Sequence, residues 1–406
     1  MKNWSLAGMA AAGSVLFLGA VPAVAAPSEV LEVRGVPVGV VVGSDGTAYA
    51  GDYGAAGGIQ VIPPGAVRPS RTIGTGGYTS GLAMAPDGTL YVAERDNSTS
   101  QYDVGVIPAG ATGVVGRIPV SPGNHLIAAG PDGTIYVPNS SEHTVSVIGP
   151  KGSAVDRTVA VGAGPVEVAV TKDGTAFVAN QAEGTVSVIP SGANTVSRTI
   201  QVSSTPGHTE NPHGIAAGPD GIIYVTNISS NEVAVIKPGA DTVAYRIPIS
   251  GGPQEAAVGQ DGTLFVATVQ DRVLSVIPPG ATAMGSSIPI DRNPGHLALA
   301  PDGTIIVTNP GNGTGNGSVS RYAPAAAGGA GSAASKPASA ITQPEQPGHA
   351  AAGTQSGDGI ISPWNTMTAI AGGAATVAIA VAVFILAAGR RKRFARDDSG
   401  KPRSAS

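Results

Sequence analysis

Between residues 45 and 303 of this 406-residue chain the dipeptide Asp-Gly recurs seven times, at Asp45, Asp87, Asp132, Asp173, Asp220, Asp261 and Asp302, with separations of 42, 45, 41, 47, 41 and 41 residues. A repeat of that length constrains the fold more than any single motif, because one unit cannot bury its own apolar face and must stack on its neighbours. One unit reads "PHGIAAGPDGIIYVTN" (212–227), then "VAVIKPGA" (233–240) and "RIPI" (246–249). Short apolar runs separated by Gly, Pro and Asn predict four strands: A ("GIAAG"), a Pro-Asp-Gly turn, B ("IIYVTN"), C ("VAVI") and D. The small residues of A suit a crowded innermost strand. Pro119, Pro248 and Pro289 fall within D, where a missing N–H is tolerated only at a sheet edge.

Four-stranded units at this period predict an all-β, seven-bladed β-propeller of antiparallel blades over residues 27–323. The seventh unit has a strand C at "GSVSRYA" (317–323) and then runs into Ala, Gly and Pro without a strand D. The missing piece stands at the front. "SEVLEVRGVPVG" (28–39) aligns with "SRTIQVSSTPG" (197–207), so the first strand is expected to complete the last blade and leave no open sheet edge.

The flanks read differently. Residues 1–26, with Lys2 before an apolar stretch and small residues before Pro27, are expected to be a cleaved signal peptide. Residues 324–363 are rich in Ala, Gly, Pro and Ser and are read as a disordered stalk. An uncharged run from Thr366 to Ala388 is long enough to cross a bilayer, which gives a transmembrane helix over 364–389. The tail, 390–406, carries seven Lys and Arg against two Asp and Glu, and is placed in the cytoplasm. The expected location is the cell membrane, with one span and the propeller outside. The exported part then holds fifteen Lys and Arg against twenty-five Asp and Glu, a balance that argues against nucleic acid as a partner. There is no cysteine, hence no disulfide or thiolate metal site.

The segments "YVTN" (224–227), "YVPN" (136–139), "FVAN" (177–180) and "IVTN" (306–309), with "TVSVI" (185–189), resemble the YVTN family of β-propeller repeats found in bacterial and archaeal surface proteins. A looser resemblance, through "PHGIAAGPDG", runs to NHL-type propellers and to streptogramin lyase. The lyase repeats carry tryptophan on strand B, where this chain has Tyr49, Tyr91, Tyr136, Phe177, Tyr224, Phe265 and Ile306.

In a propeller, the starts of the A strands line the mouth of the central channel. The residue before the first apolar position of A is Gly39, Gly81, His125, Glu167, Gly214, Glu255 and His296 in blades 1 to 7. His125, Glu167, Glu255 and His296 are therefore candidates to bind a divalent metal or to act as acid and base; the bland alternative is a set of solvated polar residues. The longest inter-blade connection adds the loop candidates His208, Glu210 and His213. Asn139, Asn180, Asn227 and Asn309 are expected to close the B-to-C turns through their side chains. Arg71, Arg117, Arg157, Arg198 and Arg246 on strand D are expected to guard the outer edge. No nucleophile elbow, P-loop or dinucleotide motif occurs. Two functions follow. One is a monomeric binding or scaffold module that needs no cofactor and takes a protein or cell-envelope ligand on the loop face. The other is a metal-assisted lyase or hydrolase using the channel-mouth His and Glu residues.

Overall fold

The Asp-Gly sites close the A-to-B hairpins by one repeated device. Gly43 N–H donates to Thr47 C=O and Gly46 N–H to Gly43 C=O, both at 2.9 Å, with Gly46 at φ 81°. That is a three-residue loop ending in the left-handed region, which a residue without Cβ occupies at little cost. The Asp45 carboxylate accepts from Thr47 N–H at 2.9 Å, and this bond holds its pKa below the usual carboxylate range. Asp132, Asp261 and Asp302 repeat the contact with Thr134, Thr263 and Thr304, each at 2.9 Å.

The computed structural model describes residues 29–323, apart from 55–56, 205–210, 291–292 and 312–316. It contains seven four-stranded antiparallel sheets, six of them in the order A-B-C-D along the chain. The seventh is closed by the first strand, Glu29–Glu32, which pairs antiparallel with Ser318–Tyr322. The expected seven-bladed architecture and its closure are therefore both present. The segments expected to be signal peptide, stalk, transmembrane helix and cytoplasmic tail lie outside the described residues. Among the described residues, no helix is long and apolar enough to cross a membrane.

Strand B is buried along its whole length in blades 3 to 7, so it reads as a continuous apolar run. Strand D buries only alternate residues, as an outer strand should. The core lies between blades: Val186, Val188 and Ile200 of blade 4 pack on Ile215, Ile223, Val225 and Ala234 of blade 5. Each fully buried Val or Ile contributes about 1.5–3 kcal/mol. A chain without disulfides is thus held by seven such seams.

The arginines do more than guard an edge. Side chains alternate along strand D, and one set reaches the C-to-D loop of the next blade. Arg71 Nη1 donates to Ala111 C=O at 3.2 Å and Arg157 Nε to Ala193 C=O at 3.0 Å, while Arg198 lies 3.4 Å from Asp241. The other set turns back into its own blade, Arg117 pairing with Glu94 and Asp103, and Arg246 with Glu232. At the closure, Arg321 Nη1 bonds Glu29 Oε2 at 2.9 Å, and its guanidinium donates to Ala66 and Pro63 carbonyls of blade 1 at 2.7 Å each.

Candidate functional site at the channel mouth

Strand A does not start in simple register. In five blades its pairing with strand B shifts by one residue, between Pro37 and Val40, Thr79 and Gly81, Pro165 and Glu167, Pro212 and Ile215, and Pro253 and Glu255. Such a bulge sets an extra residue against one partner and re-aims the side chains around it. Two residues per blade are therefore available to the mouth. Neighbouring A strands approach closely there: a Cβ on Gly81 would lie 2.4 Å from His125 C=O, and one on Gly214 2.5 Å from Gln254 C=O. Glycine at those positions is a packing requirement.

Those side chains converge. His296 Nε2, from blade 7, lies 3.6 Å from Glu167 Oε1 of blade 4 and 3.8 Å from Glu255 Oε2 of blade 6. His213, placed at the bulge of strand A in blade 5 (Pro212–Ala217), has Nδ1 3.0 Å from Glu255 Oε1. The sequence placed His213 in the inter-blade loop near the same mouth; the structure sets it on the bulge of strand A, within the axial cluster. His208 and Glu210 lie outside the described residues. Glu167 Oε2 accepts from Ile215 N–H at 3.0 Å, and His296 Nδ1 faces Val40 N–H at 3.4 Å across the closure. Of the two His–Glu neighbours expected from the sequence, blades 6 and 7 form one. His125 lines the same space but pairs with no carboxylate among the described residues.

The electrostatics follow from burial and proximity. Burial alone would lower His296, but the Glu167 and Glu255 carboxylates outweigh it and hold its pKa up at about 9. The same competition, won by Glu255, raises His213. Burial and the charge of Glu255 push Glu167 up to about 7. His125, with no close partner, is pushed down to about 4, first by burial and then by His213. A His that is neutral when folded stabilises the fold fully above its unfolded value, near 6.5, and loses that contribution as pH falls through about 4. Each unit of separation is worth about 1.4 kcal/mol, so the swing approaches roughly 3 kcal/mol. The loss of urea resistance between pH 7 and pH 4 is expected to be smaller in His125→Asn than in the native protein by up to that amount.

Two threonines of the YVTN motif, not singled out from the sequence, fix the histidines. Thr308 Oγ1 accepts from His296 N–H at 2.9 Å and donates to Val38 C=O of blade 1 at 2.7 Å. Thr226 does the same for Gly214, beside His213, and for Gln254 C=O of blade 6, both at 2.8 Å. Blades 3 and 4 have Pro138 and Ala179 at that position and lack the clamp. Thr308→Val leaves a buried carbonyl and N–H unpaired and is expected to cost about 1–3 kcal/mol in urea unfolding, whereas Thr308→Ser retains the hydroxyl and most of the stability. Asn139, Asn180 and Asn309 span the B-to-C turns as expected, though to hydroxyls instead of backbone: their amides lie 3.1, 3.0 and 3.1 Å from the hydroxyls of Thr144, Thr185 and Ser318 directly across the turn. The same amides also lie 2.9 Å from the hydroxyls of Ser146, Ser187 and Ser320 on strand C, and Asn227 donates to Val202 C=O at 3.0 Å.

Two buried carboxylates and three imidazoles at one propeller axis invite comparison with known proteins. Residues 117–276 match the virginiamycin B lyase family. The matched span runs from strand D of blade 2 to strand C of blade 6 and includes His125, Glu167, His213 and Glu255, while His296 lies beyond it. The resemblance to streptogramin lyases read from the sequence is thus supported. Among solved structures, selenomethionine-substituted virginiamycin B lyase from Staphylococcus aureus is 14% identical with a TM-score of 0.60, covering 72% of this chain and 98% of that one. A catalytically inactive histidine-to-alanine variant of that lyase with quinupristin gives 14% and 0.59, covering 73% and 99%. Hydrazine synthase from Kuenenia stuttgartiensis gives 17% and 0.61, covering 75% and 98%. At these identities the structural likeness concerns the fold, which the lyase shares with an unrelated chemistry. Comparison with curated proteins finds no significant match.

Proposed function

We propose that this protein is a lyase whose reaction centre is the axial His/Glu cluster, carried outside the cell on a propeller tethered by the C-terminal apolar run. The observation that carries the reading is the convergence of Glu167, Glu255 and His296 from three separate blades, with ligand atoms all within 4.8 Å of one another. Glu255 Oε2 is buried and has no hydrogen-bond partner, an arrangement a cation would complete. Two carboxylates and one imidazole form an oxygen-rich set that suits Mg²⁺ or Mn²⁺ better than a thiolate-seeking metal. When bound, such an ion supplies Lewis-acid stabilisation of a developing oxyanion.

The chain's own residues supply the proton transfers. An elimination needs a base to take a proton from carbon; the electron pair left behind forms the double bond, and the adjacent C–O or C–N bond breaks with its pair on the departing heteroatom, which is then protonated. His125, the one imidazole that no carboxylate engages, is assigned as the base. His213, held by Glu255, is assigned as the proton donor. Blades 1 and 2 carry glycine, Gly39 and Gly81, where blades 3, 4, 6 and 7 carry titratable residues, and that side of the mouth is assigned to the substrate.

The ring closes on itself between residues 29 and 322, so the domain 27–323 is a suitable unit for testing. Calorimetric titration with Mg²⁺, Mn²⁺, Ca²⁺ and Zn²⁺ should show one stoichiometric site that His296→Ala removes. Quinupristin, the compound in the relative's structure, is the first substrate to try. A lyase gives products whose masses sum to that of the substrate, whereas a hydrolase adds one water. No ion bound above background would sink the proposal. For the tether, fractionation should place the full chain with membranes, and a chain ending at residue 363 should be released.

A further inference from the structure

Blade 2 departs from the repeat. Its A, B and C strands span eight, seven and six residues, against six, five and five in blade 4. The extra length rises on the face that carries the channel mouth. Tyr78, Arg95 and Tyr102 pair in register across the three strands there, which puts their side chains on one side of the sheet. Tyr53, from the B-to-C connection of blade 1, meets Tyr78 with ring centroids 5.5 Å apart, and the Arg95 guanidinium lies 6.0 Å from the Tyr102 ring centroid. Tyr49, Tyr91, Tyr136 and Tyr224 occupy the repeated strand-B position; Tyr53, Tyr78 and Tyr102 do not, yet they meet at one spot.

The opposite side of the same extension is braced. Glu94, fully buried, and Asp103 hold Arg117, which also donates to Thr75 C=O, while Asn124 of blade 3 donates to Glu94 and Asp103 carbonyls at 3.1 and 3.0 Å. Thr79, Glu94 and Asp103 alternate with the tyrosine row, so the bonds stiffen the wall without touching its open face. Arg95 bonds Ser100 Oγ at 3.1 Å and has no carboxylate partner among the described residues. Tyr53 is 38% exposed and the other three are half-buried. The wall stands about 10 Å along strand A from Gly81, on the face that carries the mouth.

We propose that Tyr53, Tyr78, Arg95 and Tyr102 form a binding site for an acidic saccharide, a pyranose ring carrying a carboxylate. Phenol rings offer flat apolar faces for the sugar and hydroxyls for its rim, and a guanidinium matches a carboxylate with paired donors. Arg95 is a local cation on a face of a strongly acidic domain, so it selects for an anion. This site does not depend on axial chemistry and stands or falls separately from the lyase assignment.

The probe is trigalacturonic acid, titrated calorimetrically into domain 27–323, with maltotriose and benzoate as the neutral-sugar and aryl-carboxylate arms. Trigalacturonate is expected to bind, maltotriose to bind at least roughly tenfold more weakly, and Arg95→Gln to lose about tenfold, the worth of one desolvated cation contact. Tyr53→Ala, which lies outside the extended sheet and leaves the brace intact, should weaken binding similarly, and Glu255→Gln should not change it. The proposal is overturned if trigalacturonate gives no heat, if maltotriose or benzoate binds as well, if Arg95→Gln and Tyr53→Ala bind like the native protein, or if Glu255→Gln abolishes binding.

Discussion

A chain beginning at residue 36 is expected to lose cooperative unfolding and to self-associate. The deleted strand pairs four residues with Ser318–Tyr322 and buries Leu31 and Val33, which are 1% and 6% exposed. Two such side chains contribute about 1.5–3 kcal/mol each, and the ladder bonds about 1 kcal/mol apiece. The total is on the order of 5 kcal/mol or more, comparable with the whole stability of a typical domain. Loss of the strand also uncovers an edge of blade 7, a template for pairing with another molecule. Urea unfolding and gel filtration read both effects, and a peptide of residues 27–36 added in trans should reverse them. An unchanged urea midpoint in the shortened chain would show that the ring holds without its closing strand.

Glu255→Gln is expected to have the largest effect on function. Glu255 is 2% exposed and faces His213 at 3.0 Å and His296 at 3.8 Å. Divalent-ion affinity should fall by roughly 100-fold or more, since even residues behind a metal ligand are worth about 10- to 100-fold. Any turnover should fall by about 10²- to 10⁴-fold. A separate readout comes from the metal-free protein. Because the His296 pKa is raised in the folded state, its pairing stabilises the fold fully below about 6.5 and the contribution is lost as pH rises through about 9. With glutamine at position 255, the His296 titration observed by NMR should move down toward neutrality, and the alkaline loss of stability should flatten. If the titration stays where it is, Glu255 does not set the charge of the mouth.

The architecture was readable because it is written seven times. Asp-Gly spacing, Pro at strand D and the missing last strand each point to a closed propeller, and they reinforce one another. The site was readable only in part. His296, Glu167 and Glu255 came from counting back from the first apolar residue of strand A, and the structure brings all three together. His213 escaped the count because it stands one residue ahead of Gly214, and only the bulge after Pro212 turns it toward Glu255. Four of the five bulges start at a proline, Pro37, Pro165, Pro212 and Pro253, but that residue marks the place without telling which side chain is turned inward. Thr226 and Thr308 were passed over because a threonine within a strand reads as β-propensity, while its bridge to the neighbouring blade exists only once the ring has formed. The arginine ties to Ala111 and Ala193 belong to the same class. Each needs two blades to be visible.

The closing blade also sets an orientation. Strand C of blade 7 starts at Ser318, opposite Asn309, and ends at Tyr322, opposite Ile305, while Glu29 pairs with Arg321 beside that end. The polypeptide thus arrives and departs on one side of the disc, and the axial cluster and the tyrosine wall look out from the other. A support attached through either end would hold the molecule from behind, like a dish on a mast, with its receptive surface unshadowed by its own mounting.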